Sequence, residues 1–401
     1  MKAATVTGNL GSSADAHAAP QAHAQAHAPA HAPAHVHAPA HNRAAPSERL
    51  VTRLRAAIAS FWLAAFFYAA EKFPGPVVAG RRPFCWAVFR VSPWIRAGTL
   101  ANARRILGAT RSHDTVTEVT APSFPGATST TPPTDAEIRA LAQRTLSSFY
   151  LFCCDVGRSF GMSTAELLAR VETADGAERY SAARAAGRGA IVVTAHMGSF
   201  EVGMASLRSV DSSPIHVVFR RDRFARFERQ RSALRARLGV EEAPVDEGWT
   251  VWVRLRDALL NNEVVVLQGD RVMPGQKGEA VPFLGGRLML PPGPVKLALA
   301  TGAPIVPIFS VRTPAGKVKL FVEEAIEVEP APHAAGPHPA LLRWAALLER
   351  YVRTYPDQWL ILQPALLEDA PTTGATPTTA ATSTPSSRAE AQDGVHEPAK
   401  Q

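Results

Sequence analysis

The sequence predicts an α/β fold, a single largely parallel sheet flanked by helices, with a membrane-associated helix before it and disordered termini at either end. Three observations predict it. Short apolar runs, among them Ala190–Val193, Ile215–Phe219 and Val264–Leu267, are separated by stretches of helical pattern. Strands that alternate with helices in this way pair in parallel and are covered on both faces. The 401 residues are enough for two domains, yet both ends are poor in large apolar side chains. An uncharged stretch of fifteen residues, Ala56–Ala70, stands well before the first strand.

Residues 1–46 are mostly Ala, His and Pro, with His17, His23, His27, His31, His35, His37 and His41 in nearly regular spacing. Such a segment has little to bury and is expected to be disordered. Imidazoles bind metals, but nothing here fixes a coordination geometry, so no metal site is assigned. The tail 369–401, rich in Thr, Ala, Pro and Ser, reads the same way. Residues 47–135 read as a membrane-associated helical region. Ala56–Ala70 has Arg49, Arg53 and Arg55 before it and Lys72, Arg81 and Arg82 after it. It is shorter than the roughly 20 residues a spanning helix needs, and too much chain precedes it for a signal peptide. The first expectation is a helix lying in the head-group layer, with Trp62 and Tyr68 at the polar boundary. A tilted span and a buried core helix are the alternatives. Ala121–Thr134, rich in Pro, Ser and Thr, reads as an inserted loop.

The α/β domain is expected over 136–368. Helical patterns cover 137–157 and 163–171, with a strand at 189–193, a helix at 199–207 and a strand at 215–219 after them. Helices are then expected at 224–238 and 250–260, a strand at 264–267, a helix at 294–301, and strands at 305–311 and 318–321. In open sheets of this kind the site gathers at the carboxyl ends of the strands, where His196, Arg220 and Asp270 emerge.

The formal charge is +8, and much of the excess lies between Phe219 and Gly239, where eight arginines face only Asp222 and Glu228. Phe224, Phe227, Leu234 and Leu238 are spaced to form one apolar face among them. A basic amphipathic helix suits an anionic membrane surface or a phosphorylated head group; a solvated face without a ligand is the plain alternative. No nucleic-acid partner is expected, because zinc-finger spacing and RNP-type aromatic motifs are both missing. Cys85, Cys153 and Cys154 have neither metal spacing nor an even-numbered framework, and read as reduced thiols of a chain facing the cytosol.

The chemistry concentrates in Thr194-Ala195-His196-Met197-Gly198-Ser199-Phe200-Glu201. Five positions apart on one helix, His196 and Glu201 diverge by about 140°. They meet only if His196 ends a strand, Gly198 turns the chain and Ser199 caps a helix that carries Glu201 in its first turn. The carboxylate then holds one ring nitrogen protonated and leaves the other free as a base. A satisfied core histidine and a first-turn carboxylate favoured by the helix dipole are the bland alternative. Further on come Val264-Val265-Val266-Leu267-Gln268-Gly269-Asp270-Arg271, Val281-Pro282-Phe283-Leu284-Gly285-Gly286, Pro292-Gly293-Pro294 and Tyr355-Pro356-Asp357-Gln358-Trp359.

These motifs, in this order over Ala136–Leu367, resemble the late acyltransferases of lipid A synthesis (the lauroyl and myristoyl transferases) and the related phosphatidylinositol mannoside acyltransferases, within the glycerolipid acyltransferase superfamily. The Pro-Gly-Pro helix entry is nearer the mannoside type. The resemblance implies transfer of a fatty acyl chain from an acyl carrier protein or coenzyme A thioester to a hydroxyl of a membrane lipid or glycolipid, without a cofactor. It implies His196 as general base oriented by Glu201, and a location at the cytoplasmic face of the inner membrane. Arg220, or backbone N–H groups at Gly198 and Ser199, would stabilise the oxyanion or hold a phosphate. Asp270 and Arg271 match the family's position after the strand, and Asp270 is expected to shape the site, pair with Arg220, or stabilise a turn. The alternatives are an acyltransferase of secondary-metabolite lipids and a non-catalytic membrane-binding protein. A serine hydrolase is excluded: Gly161-Met162-Ser163-Thr164-Ala165 comes nearest to a nucleophile elbow but ends in Ala.

Overall fold

The computed structural model describes residues 46–112, 131–222, 224–273, 275–331 and 336–367. The His-rich segment, most of the expected insertion and the C-terminal tail lie outside the described residues. The chain divides after Leu54 into two units. Of the first, only the start of a helix is described; the second holds the sheets and the site.

The elements, in chain order, are α1 (Pro46–Lys72), α2 (Pro74–Ala79), α3 (Arg81–Val91), α4 (Pro93–Ser112), α5 (Asp135–Ser159), α6 (Thr164–Leu168), β1 (Val171–Asp175), α7 (Ala177–Ala185), β2 (Ala190–Thr194), α8 (Phe200–Val210), β3 (Ile215–Phe219), α9 (Ala225–Arg237), β4 (Glu241–Pro244), α10 (Trp249–Leu260), β5 (Val264–Gln268), β6 (Glu279–Phe283), β7 (Gly286–Leu290), α11 (Gly293–Thr301), β8 (Ile305–Arg312), β9 (Val318–Val322), α12 (Pro339–Thr354) and β10 (Leu366–Leu367).

Seven strands form the main sheet in the order β1-β9-β8-β2-β5-β3-β4. From β8 to β4 every neighbouring pair is parallel. β9 runs antiparallel to β8, and β1 is parallel to β9. The central strands read as continuous apolar runs because both of their faces are buried. Ile191, Val193, Val265 and Leu267 point into one core cluster, and Val192, Val264 and Val266 into another. This alternation is the pleat of the strand expressed as two packed layers.

The structure departs from expectation in several places, and α7 and α12 are helices that were not among the expected elements. The stretch 163–171 is not one helix: α6 stops at Leu168 and Val171 opens β1. Val171–Asp175 and Glu241–Pro244 are edge strands that carry charged residues, so neither shows an apolar signature. The segment Val281–Gly286 belongs to a hairpin, β6 against β7, with Leu284 and Gly285 both at positive φ in the turn. β10 pairs with β7 to complete a second, three-stranded sheet.

No helix among the described residues is long and apolar enough to cross a membrane. On α1, Phe67 and Ala70 are buried, whereas Phe61, Trp62 and Tyr68 are exposed. The inward face meets α5 at Gly157, where an added Cβ would approach Ala70 Cβ to 2.8 Å. Phe67 also stacks on Phe227 of α9 at 4.5 Å.

Candidate active site

β2, β3 and β5 end side by side, and their carboxyl ends deliver His196, Arg220 and Asp270 to one region. After Thr194 the chain leaves the sheet. Gly198 turns it with φ +58°, and a Cβ there would collide with the carbonyl of Ser310 on β8. Only glycine fits both conditions. Ser199 then caps α8, its Oγ accepting from the N–H of Val202 at 3.4 Å.

The carboxylate bonded to the imidazole is that of Asp270. His196 Nδ1 lies 2.6 Å from Asp270 Oδ1, and the His196 backbone N–H donates to Oδ2 at 2.9 Å. Trp359 Nε1 donates to the same Oδ2 at 3.0 Å. Asp270 is fully buried, while the His196 side chain keeps 23% exposure. Burial opposes ionisation of Asp270, but the neighbouring imidazole and the hydrogen bonds outweigh it and hold the carboxyl below its usual range. With Nδ1 engaged, Nε2 is the nitrogen left for chemistry.

Asp270 is placed by tight packing. Gly269, just before it, donates to the Thr194 carbonyl at 2.8 Å and accepts from Trp344 Nε1 at 3.0 Å. A Cβ on Gly269 would meet Val193 Cγ1 at 2.6 Å. The stretch after α12 closes over the site. Besides the Trp359 bond, the Leu360 N–H donates to the His196 carbonyl at 2.9 Å. That stretch is in turn tied to α4, where Asn102 Nδ2 donates to the carbonyls of Ile361 and Gln363, each at 2.9 Å.

Glu201 does lie in the first turn of α8, but no hydrogen bond joins it to His196 among the described residues. It is buried at 6% exposure, and its Oε2 has no partner among the described residues. Burial raises its pKa, with the Arg231 guanidinium as the main opposing influence. The expected His196–Glu201 pair is thus replaced in this geometry by His196–Asp270. The reason is register: Thr194 pairs with Gln268, so the residues two beyond each strand end fall opposite one another. The expected Asp270–Arg220 pair is likewise not formed, and Asp270 is no simple turn residue.

A cavity of about 180 Å³ is lined by His196, Arg220, Arg231, Gln268, Arg271 and Trp252, with Pro291 and Pro294 at its apolar side. Arg220 is exposed and without a partner among the described residues. Arg271 has a buried Nε lacking an acceptor among the described residues. Arg231 carries no sequence signal of its own beyond its place in the basic helix. Gly198 and Ser199 do not line this cavity. Two other α9 arginines are structural: Arg235 pairs with Glu228 and Glu242 and covers the ring of Phe219 at 3.9 Å, and Arg237 donates to the Phe160 carbonyl at 2.7 Å. Ser163 is the N-cap of α6, bonded to Glu166 in a capping box, which accounts for the near-elbow sequence.

A family model of bacterial lipid A biosynthesis acyltransferases matches residues 132–368, which span the α/β domain from α5 to β10. The phosphatidylinositol mannoside acyltransferase of Mycolicibacterium smegmatis (strain ATCC 700084 / mc(2)155) is 28% identical over 190 residues, covering 46% of this chain and 59% of that relative. The likeness to that relative is therefore confined to less than two thirds of its length. The chain belongs to the bacterial lipid A biosynthesis acyltransferase family.

Proposed function

We propose that the protein transfers a fatty acyl chain from an acyl thioester, carried by acyl carrier protein or coenzyme A, to a hydroxyl of a membrane lipid or glycolipid. The observation that carries this reading is the buried Asp270 bonded to His196 Nδ1, with the cavity of three arginines around the imidazole. His196 Nε2 removes the hydroxyl proton as the oxygen attacks the thioester carbonyl. Asp270 fixes the tautomer and balances the imidazolium that forms. The tetrahedral oxyanion then collapses, the C–S bond breaks, and the imidazolium returns the proton to the departing thiolate. The thioester is already activated, so no acyl-enzyme is required.

Arg220, Arg231 and Arg271 form a cationic wall without a lining carboxylate, suited to the oxyanion or to a substrate phosphate. Glu201, buried in the first turn of α8, takes no part in this proton transfer, and the Arg231 guanidinium is the charge that most favours its ionised form. Gly198 and Ser199 act through the backbone turn that presents His196. Lipid A and a phosphatidylinositol mannoside are both acceptors of the right class. The exposed Phe61, Trp62, Tyr68, Trp86 and Trp94 suit contact with a bilayer, and the location proposed with this function is the cytoplasmic face of the inner membrane.

Membranes that carry the full chain, incubated with labelled acyl-coenzyme A or acyl carrier protein thioester, test the reading. Lipid labelling is expected, and His196→Ala should reduce it by about 10³-fold or more. Labelling unchanged in that variant would reject the mechanism, and mass spectrometry of the labelled lipid identifies the acceptor.

A further inference from the structure

Gly198 leads from the His196 turn to a second cavity, of about 350 Å³, that shares no lining residue with the first. Its wall is drawn from α3, α5, the end of β8 and the stretch after α12. Three guanidiniums line it: Arg81, Arg144 and Arg312. Arg312 is already committed, since its Nε donates to the buried Asp155 at 2.9 Å and its backbone N–H and carbonyl are both bonded by the Gln358 side chain at 2.8 Å. Arg81 and Arg144 have no hydrogen-bond or carboxylate partner among the described residues. One carboxylate, Asp357, also lines the wall, where it accepts from Ser148 Oγ at 3.3 Å. At the same wall Thr313 is buried and its Oγ1 has no partner among the described residues.

Two unpaired guanidiniums and nearby hydroxyls, brought from separate elements onto one concave surface, suit an anion that accepts from several directions. A phosphate, with three acceptor oxygens and a charge of about −1.5 to −2, answers two guanidiniums and neighbouring hydroxyls better than a singly charged carboxylate. We propose that this cavity is an anion subsite that takes a phosphate group through Arg81 and Arg144. The phosphate belongs to one of the two acyl-transfer substrates, an assignment that rests on the proposed function; binding of the anion itself does not. It comes either from the acyl donor or from the head group of the lipid acceptor.

Residue-resolved labelling of the full chain with phenylglyoxal, an arginine-selective reagent, tests this. Inorganic pyrophosphate should slow modification of Arg144 by about fivefold or more while leaving exposed Arg226 on α9 unchanged. No protection of Arg144, or equal protection of both arginines, overturns the subsite. A non-reactive palmityl-coenzyme A thioether and vesicles of phosphatidylinositol in phosphatidylcholine, with pure phosphatidylcholine vesicles as control, then identify the source. Selective protection by one of them assigns the phosphate to donor or acceptor; protection by pyrophosphate alone overturns the assignment to a substrate. The same pattern is expected in His196→Ala, so a failed acyl-transfer reading and a failed subsite give different results.

Discussion

Trp359 and Asp270 share a hydrogen bond of 3.0 Å, on the same carboxylate oxygen that accepts from the backbone of His196. The indole, 1% exposed and 89 residues further along the chain, thus orients the acid that holds the His196 imidazole. Asp270→Asn keeps the shape but presents an amide where Nδ1 needs an acceptor, and should lower kcat by about 10²- to 10⁴-fold. Trp359→Phe removes one bond and should cost about tenfold in kcat and about 1 kcal/mol in stability. Steady-state kinetics of the two variants beside Glu201→Gln decide which carboxylate serves His196. If Glu201→Gln is the more damaging, the Asp270 assignment is wrong.

Asp270 and Glu201, both buried, respond to pH with opposite signs. The carboxyl of Asp270 is held below its ordinary value, so its contribution to stability is present above about pH 3.9 and is lost as pH falls through the folded pKa. Glu201 is raised, so its contribution is full below about pH 4.3 and is lost as pH rises toward its folded pKa. Urea unfolding of Glu201→Gln should therefore show a flatter profile above about pH 4.3 than the parent. An unaltered slope there would mean that Glu201 is ionised and paired in the folded protein.

Gly198→Ala adds a methyl group where φ is +58° and the Ser310 carbonyl stands in the way. Strain and overpacking together predict a loss of about 2 kcal/mol or more, with activity falling because the His196 turn must move. Chemical denaturation measures the first and the labelled-lipid assay the second. A neutral effect on both would show that the loop relaxes freely.

The exposed aromatic side chains of α1, α3 and α4 predict a separable surface function. Replacing Trp62, Trp86 and Trp94 by Ser should leave the melting temperature within about 2 °C, because none of them is buried. Co-sedimentation with anionic vesicles should fall by about tenfold. Binding that survives all three changes would move the membrane contact elsewhere.

The central strands were legible because burial on both faces leaves a continuous apolar run, as in Val264–Leu267. β1 and β4 were not, since an edge strand such as Val171–Asp175 needs no such run and carries charges. Within the site, sequence proximity favoured Glu201 as the partner of His196, whereas strand pairing brought in Asp270, 74 residues away. Register between parallel strands leaves no local signature, so that contact was beyond the reach of spacing arguments. Motif order did place Asp270 in the site, and it lent Tyr355–Trp359 a family resemblance without revealing its bond to the acid.

The closing stretch Trp359–Leu360 has a consequence for synthesis. His196 and Asp270 both leave the ribosome before the segment that braces them, and Leu360 anchors the His196 carbonyl only after α12 is complete. A nascent chain therefore carries the His196 imidazole unset until the end of the domain emerges, and under the proposed mechanism proteolytic loss of that strap is expected to abolish acyl transfer.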